Sequence, residues 1–315
     1  MKTAVCTLYE GHYHFGVGAL INSLIANEFN GDVYVGYRGE LPPWLKNTQK
    51  IDIVGWKDAT FMLLPNGSNV YFLFLDTAMH FTNYKPQFLI DLTTKACKDY
   101  EAIAYFDPDI VVCRNWSYFV DWMQYGVAVV HDIIMNDMPI THPLRRNWEL
   151  IAVDKGLKVV NPIHSYINAG FCGLKKQYWE FPQLWNQLLD IAWSRFNANP
   201  AKLRTHPRPN PFFYPDQDSF NLALMTYKGS ISELGPEAMG FRYGVVAMAH
   251  AVGSPKPWER NIFQAFLNGD LPKFADKKYW QYSKGVIQLY SNYLIAIIRF
   301  KLSLVSFLGR FYSRN

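Results

Sequence analysis

The chain has 315 residues, of which half are hydrophobic, 17% aromatic and 18% charged. That composition excludes a disordered, collagen-like or disulfide-scaffold protein. The lack of any run of about 18 uninterrupted apolar residues excludes a polytopic membrane protein. The net charge of +5 is unevenly spread. Lys256 to Asn315 carries ten basic residues against Glu259, Asp270 and Asp276, a surplus of +7, so the rest of the chain sums to −2.

In chain order, Thr3 to Leu8 reads as a short apolar strand. Phe15 to Glu28 has apolar residues at helical spacing, and Asp32 to Tyr37 returns to strand character. Val70 to Leu75 is another strand, Pro86 to Lys98 a helix, and Ala102 to Phe106 a strand running into Asp107. Val127 to Val130 is a further strand. Met135 to Ile163 has little periodicity, Tyr178 to Phe196 reads as a helix, and the proline-rich Asn197 to Pro215 as a long loop. Strands alternating with helices predict an α/β fold with a mainly parallel central sheet, in which ligands bind at the carboxyl ends of the strands. The tail from Gly285 to Leu308 is apolar but broken by Arg299 and Lys301. Val286, Leu289, Tyr290, Tyr293, Leu294, Ile297 and Ile298 fall on one helical face, which fits a helix at a membrane interface or one docked on the domain's own core.

Cys6, Cys97, Cys113 and Cys172 lie apart in apolar contexts with no Cys-x-x-Cys pair, and read as buried thiols. With a strand starting directly after Met1-Lys2, this predicts a reducing, cytoplasmic setting. The sequons at Asn66 and Asn115 read as chance matches.

Four motifs carry chemistry. In Tyr105-Phe106-Asp107-Pro108-Asp109, two carboxylates sit between apolar strands. A turn there aims both at one point, which suits Mn²⁺ or Mg²⁺ with phosphate completing the shell, or serves as a turn alone. In His250-Ala251-Val252-Gly253-Ser254-Pro255-Lys256-Pro257-Trp258, an imidazole, a glycine and a lysine are the parts of a metal–diphosphate site. Asn168-Ala169-Gly170 places small residues and an amide in an apolar strand. Asp216-Gln217-Asp218, followed by Asn221, opens an apolar helix, where Asp216 or Asp218 serves equally as a cap. Phe212, Phe213 and Tyr214, whose flat rings present apolar faces, and the stretch His131 to His142 are candidates for a binding cleft or for packing.

These four motifs, in this order, resemble glycosyltransferases of the GT-A fold, most closely family 8, the group of glycogenin and bacterial lipopolysaccharide galactosyl- and glucosyltransferases. The last motif matches the family's His-x-x-Gly-x-x-Lys-Pro-Trp at every fixed position. The resemblance spans roughly residues 3 to 258. It implies a GT-A catalytic domain over 1–258, followed by a basic helical extension over 259–315. It implies Mn²⁺-dependent transfer of a hexose from a nucleotide-sugar, usually a UDP-sugar, to a carbohydrate, lipid-linked or protein hydroxyl, with retention at the anomeric carbon. Carried over, Asp107, Asp109 and His250 hold the metal, and Gly253 and Lys256 contact the diphosphate. Thr7 and Tyr13 hold the nucleobase, and Lys85 contacts the donor. Asn168, Asp216 and Gln217 line the donor sugar, with retention arising either through Asp216 or Gln217 on the reaction face or through acceptor attack on the leaving-group side. Some bacterial members also end in a basic, aromatic segment associated with membranes, which extends the expectation to an anionic membrane surface at the tail.

The first loop departs from the family pattern. Thr7-Leu8-Tyr9-Glu10-Gly11-His12-Tyr13 is longer and lacks the usual Asp, which leaves the nucleobase open, with Glu10 in the corresponding stretch. Three other readings stand beside the leading one. An inverting GT-A enzyme needs a carboxylate base such as Asp218. A nucleotidyltransferase lacks its Gly-rich phosphate loop here. A non-catalytic sugar- or membrane-binding protein would keep the motifs as relics. The −2 balance of the main domain gives no support to nucleic-acid binding.

Overall fold

Strand β1 (Thr3–Glu10) is buried over all but its last residue, with Ala4, Cys6 and Leu8 in one core and Val5 and Tyr9 in another. A strand covered on both faces divides its side chains this way because successive residues point to opposite sides. The elements that follow, in a computed structural model describing residues 2–134, 137–205, 207 and 210–311, are α1 (His14–Ala26), β2 (Asp32–Arg38), β3 (Gln49–Ile53), β4 (Trp56–Leu63), β5 (Asn69–Phe74) and α2 (Phe81–Thr94). Next come β6 (Ala102–Phe106), β7 (Ile110–Val112), α3 (Trp116–Trp122), β8 (Val127–His131), α4 (Pro143–Asp154), β9 (Ile167–Lys175) and α5 (Phe181–Phe196). The chain continues through α6 (Pro215–Thr226), β10 (Ile231–Leu234), β11 (Met248–His250), α7 (Ile262–Leu267), α8 (Phe274–Tyr282) and α9 (Asn292–Leu308). Met1, Met135, His206, Arg208, Pro209 and Arg314, which fall within stretches read above, lie outside the described residues.

The main sheet runs β10-β8-β9-β6-β1-β2-β5-β4-β3. Its centre, β6-β1-β2-β5, is parallel, as the alternating pattern predicts, while β9 runs antiparallel between β6 and β8, and β4 and β3 add an antiparallel edge. Helices cover both faces. Phe88 and Leu92 of α2, Trp148 of α4, Trp185 of α5 and Phe220 of α6 share one core, and Val17, Leu20 and Ile21 of α1 with Phe119 of α3 share the other. This is a three-layer α/β arrangement.

Three expectations are corrected. The helix placed at Pro86 starts five residues earlier, where the His80 ring accepts from the Thr82 N–H. Pro86 therefore lies inside α2 and removes a backbone hydrogen bond there. The stretch without periodicity contains α4, which begins with Pro143 at its first position behind the accepting His142 ring. The tail is helical only from Asn292, capped by Ser291, so Val286, Leu289 and Tyr290 do not share a helix face with Ile297. α9 docks through Ile295, Leu302 and Val305 onto Tyr279 and Trp280 of α8, the docked alternative of the sequence reading. The opposite side of α9 still exposes Tyr293, Phe300 and Phe307, and Phe311 beyond the helix is exposed as well. Among the described residues, no helix is long and apolar enough to cross a membrane.

The extension is fastened to the body. Asn22 of α1 donates to the Tyr282 and Ile287 carbonyls, and the Trp280 indole donates to the Pro257 carbonyl. All four cysteines are free, with Cys6, Cys97 and Cys172 buried and Cys113 half-buried.

Candidate active site

A cavity of about 480 Å³ opens at the carboxyl ends of β1, β6 and β8. It is lined by Tyr13, Lys85, Asp107, Asp109, Asn168, Asp216, Gln217, His250, Gly253 and Lys256, residues scattered over more than two hundred positions of sequence. Thr7 stands apart. It is fully buried inside β1, its hydroxyl has no hydrogen-bond partner among the described residues, and Leu8, Tyr9 and Glu10 line the cavity in its place.

Three backbone facts build the centre. β6 ends at Phe106, so Asp107 is the first residue past a parallel strand, and its N–H donates to the Gly170 carbonyl of β9 at 2.7 Å. β11 pairs antiparallel with β7 in a register that sets His250 opposite Ile110, directly after Asp109. Gly170 leaves room between them. A Cβ there would lie 2.6 Å from His250 Cε1, 2.8 Å from Asn168 Oδ1 and 2.9 Å from Asp107 Oδ2.

Two lysines then divide the carboxylate oxygens. Lys85 Nζ is 2.9 Å from Asp107 Oδ1, 3.4 Å from Asp216 Oδ2 and 3.0 Å from the Ala169 carbonyl. Lys256 Nζ donates to Asp109 Oδ2 and to the Ala251 carbonyl. The inner oxygens are left facing the imidazole. His250 Nε2 lies 3.2 Å from Asp109 Oδ1 and 3.9 Å from Asp107 Oδ2. Ligand atoms of these three residues all fall within 4.8 Å of one another. Two carboxylate oxygens and one imidazole nitrogen are the donor set of a hard or borderline divalent cation, so the residues present fit one.

The electrostatics follow from burial opposed by pairing. Burial pushes the Asp109 carboxyl up, but His250 and Lys256 outweigh it and hold the group well below the usual carboxylate range. Burial likewise pushes both lysines down, and the facing carboxylates, Asp107 and Asp216 for Lys85 and Asp109 for Lys256, raise them overall. Both remain cations at any physiological pH.

A second network fixes the amides. Asp132, buried directly after β8, accepts from Asn168 Nδ2 at 2.7 Å and Gln217 Nε2 at 3.1 Å, and its other oxygen accepts from the Ile134 N–H. Gln217 Oε1 accepts from the Ala169 N–H, and Asn168 Oδ1 from the Gly170 N–H. Sequence reasoning named Asp132 only within His131 to His142. The usable signal was an acid immediately following an apolar strand, the same one that marks Asp107. Asp218 is turned away from this network. It accepts from the Tyr166 hydroxyl and from the Tyr214 N–H at the start of α6, the capping alternative of the sequence reading.

At the cavity's other wall, Tyr13 packs edge-on to Trp258 with ring centres 5.7 Å apart, and Lys256 Nζ lies 5.7 Å from the Tyr13 ring centre. Trp258 donates to the His12 ring, which ties the first loop to the segment carrying Lys256. Glu10 is engaged by Arg38. Gly253 has φ of +85°, a conformation side chains rarely adopt, which brings its backbone to the cavity wall beside Lys256. Of the acceptor candidates, Phe212 is fully buried as core, His131 pairs with Glu233, and Tyr214 lines the cavity.

No family model and no curated protein sequence matches the chain. Solved structures do. The glycosyltransferase GlyE of Streptococcus pneumoniae TIGR4 superposes with a TM-score of 0.53 at 13% identity, over 97% of this chain and 64% of that one. The galactosyltransferase LgtC, in complex with donor and acceptor sugar analogues, gives a TM-score of 0.55 at 12% identity, over 93% of this chain and 99% of that one. The fold is the GT-A glycosyltransferase fold. The bifunctional glycosyltransferase WbbM also shares it, with a TM-score of 0.52 at 15% identity over 95% of this chain. The chain spans 64% of GlyE and 52% of WbbM, whereas it covers LgtC almost end to end.

Proposed function

We propose that this chain is a divalent-metal-dependent glycosyltransferase that moves a hexose from a nucleotide-sugar, a UDP-sugar in the first instance, to a hydroxyl acceptor with retention of anomeric configuration. The observation that carries the proposal is the cluster of Asp107, Asp109 and His250, with Lys256 beside it, in the main cavity of a GT-A fold. Asp107 Oδ2, Asp109 Oδ1 and His250 Nε2 would hold Mn²⁺ or Mg²⁺, which supplies Lewis-acid stabilisation of the departing diphosphate. Lys256 and the Gly253 backbone, which line the same cavity, would contact that diphosphate, and the Tyr13 ring would meet the nucleobase. In the transfer, the bond from the anomeric carbon to the diphosphate oxygen would break and a bond to the acceptor oxygen would form on the leaving-group side, with the hydroxyl proton passing to the departing diphosphate oxygen.

Asp132 holds Asn168 and Gln217 in fixed orientations, so two amides meet the donor sugar without the entropy of reorganisation. Lys85 Nζ lies between Asp107 and Asp216, within 3.4 Å of a carboxylate oxygen of each. Retention over inversion is supported by Asp218, both of whose oxygens accept hydrogen bonds, from the Tyr166 hydroxyl and the Tyr214 N–H. The exposed aromatic side of α9, with Tyr293, Phe300 and Phe307, supports a membrane surface as the place of work, while Arg299 donates to the Trp280 and Gln281 carbonyls and Lys301 lies over the Phe263 ring.

A panel of nucleotide-sugars scored for Mn²⁺-dependent hydrolysis tests the proposal. Release of nucleoside diphosphate that stops with EDTA and returns with Mn²⁺ is the expected result. No turnover and no metal-dependent UDP binding by calorimetry would refute it. Anomeric NMR of the product separates retention from inversion.

A further inference from the structure

The basic side chains at the cavity differ in how they are committed. Lys85 Nζ meets three acceptors and Lys256 Nζ two, carboxylate and carbonyl oxygens in each case. Arg204 also lines the cavity, yet the described residues offer it no carboxylate and no hydrogen-bond acceptor. Its contacts are two aromatic faces. The Arg204 Cζ lies 5.1 Å from the ring centre of Tyr214 and 5.8 Å from that of Phe213.

The segment bearing Arg204 is held at both ends. On one side the Pro200 carbonyl accepts from the His80 N–H and from Asn83 Nδ2, and the Lys202 carbonyl accepts from the same amide of α2. On the other, the Thr205 hydroxyl donates to the Phe212 carbonyl and its N–H to the Phe213 carbonyl. The guanidinium is therefore presented by a fastened loop, beside two aromatic rings and on an exposed side chain. A guanidinium in that state matches the two oxygens of a carboxylate or phosphate. Stacking on aromatic faces adds cation–π attraction and limits the entropy lost on binding. Tyr214 offers the same wall a ring for a sugar face.

We infer that the acceptor carries an anionic group, a carboxylate or a phosphate ester, on or next to the accepting sugar, and that Arg204 is the residue that selects it. The inference rests on the glycosyltransferase reading and names the acceptor class of that same site. Arg204 is a specificity residue, separate from the lysine that faces the donor diphosphate.

Matched methyl glycosides test it: glucoside against glucuronide, galactoside against galacturonide, and each neutral sugar against its 6-phosphate. Each is scored for stimulation of nucleoside diphosphate release and for binding to the protein–UDP–Mn²⁺ complex by saturation-transfer NMR. In the parent, the anionic member of a pair gives the lower KM and the stronger saturation. In Arg204→Gln that preference falls about tenfold or more, as expected for loss of a charge-assisted pair. Arg204→Lys, which keeps charge without the planar fork, restores only part of it. The uronides and the phosphates tell the two anion sources apart. Equal use of neutral and anionic members, no binding of any anionic member, or an equal loss for both in Arg204→Gln overturns the inference, as does a weakened affinity for UDP itself. Acceptor-independent, Mn²⁺-dependent donor hydrolysis by the parent keeps the functional reading standing if the acceptor inference fails.

Discussion

Gly170→Ala is a one-carbon change that reaches three groups of the site. The new Cβ would lie 2.6 Å from His250 Cε1, 2.8 Å from Asn168 Oδ1 and 2.9 Å from Asp107 Oδ2. An ordinary contact needs 3.4 Å or more, so the imidazole must withdraw by about 1 Å, or β9 must move against β6. Neither is free. His250 is held in β11 by its pairing with β7, and the Gly170 carbonyl accepts from the Asp107 N–H. Overpacking of this kind costs about 1–3 kcal/mol of stability. Misplacing a catalytic group by about 1 Å costs on the order of 100-fold in rate, equivalent to about 2.7 kcal/mol of barrier. The assay is Mn²⁺ titration of the protein–UDP complex by calorimetry, paired with donor hydrolysis. Affinity and rate should fall together by roughly ten- to a hundredfold. Gly173→Ala is the control on the same strand. Its Cβ meets Met123 Cγ at 2.9 Å and Sδ at 3.1 Å, and Ala128 Cβ at 3.2 Å, none of them a group of the site. It should lower the melting temperature and leave metal affinity alone. A Gly170→Ala protein with metal affinity and rate within about threefold of the parent would refute the close approach on which the site geometry depends.

Three further outcomes follow from the same contacts. Lys85→Met leaves the carboxylates of Asp107 and Asp216 without their shared buried cation and should cost about 3–5 kcal/mol in urea unfolding. Mn²⁺ should recover part of that loss, and a variant as stable as the parent without metal would contradict the pairing. Asp109 has a folded-state pKa below its unfolded value, so its pairing stabilises the fold fully above about pH 4 and is lost as the pH falls further. In metal-free urea titrations, the stability gap between the parent and Asp109→Asn should narrow as the pH drops below about 4, and a gap that widens would reverse the sign of this reasoning. Phe300→Ser with Phe307→Ser alters only exposed positions of α9, whereas truncation removes Ile295, Leu302 and Val305 from the core. The double variant should lose sedimentation with anionic vesicles while melting as the parent does, and undiminished vesicle binding would remove the membrane role of that face.

Local residue chemistry made part of this legible. Continuous apolar runs marked β1, β2, β5, β6 and β8, because strands buried on both faces need no polar alternation. Helical periodicity found α1 and α5. It missed α4, whose start is marked only by His142 and Pro143, and it extended the tail helix through Gly285 to Tyr290, where apolar residues pack without helical geometry. The antiparallel course of β9 was not readable, since strand direction depends on partners far along the chain. The same limit hid Asp132, whose role rests on the amides of Asn168 and Gln217, 36 and 85 positions away.

The opening charge imbalance shows the division most clearly. The sequence by itself determined which residues can ligate, pair or stack: the two acids of the Asp107–Asp109 turn, the histidine and lysine of the last motif, and a +7 tail. Covalent chemistry fixes those properties wherever the residues lie. Only the tertiary structure decided which oxygens are spoken for. Lys85 and Lys256 take the outer ones, the inner ones face His250, and Arg204 has aromatic partners alone among the described residues. Distances of about 3 Å between residues a hundred or more positions apart are set by strand register and helix packing, and no local pattern records them.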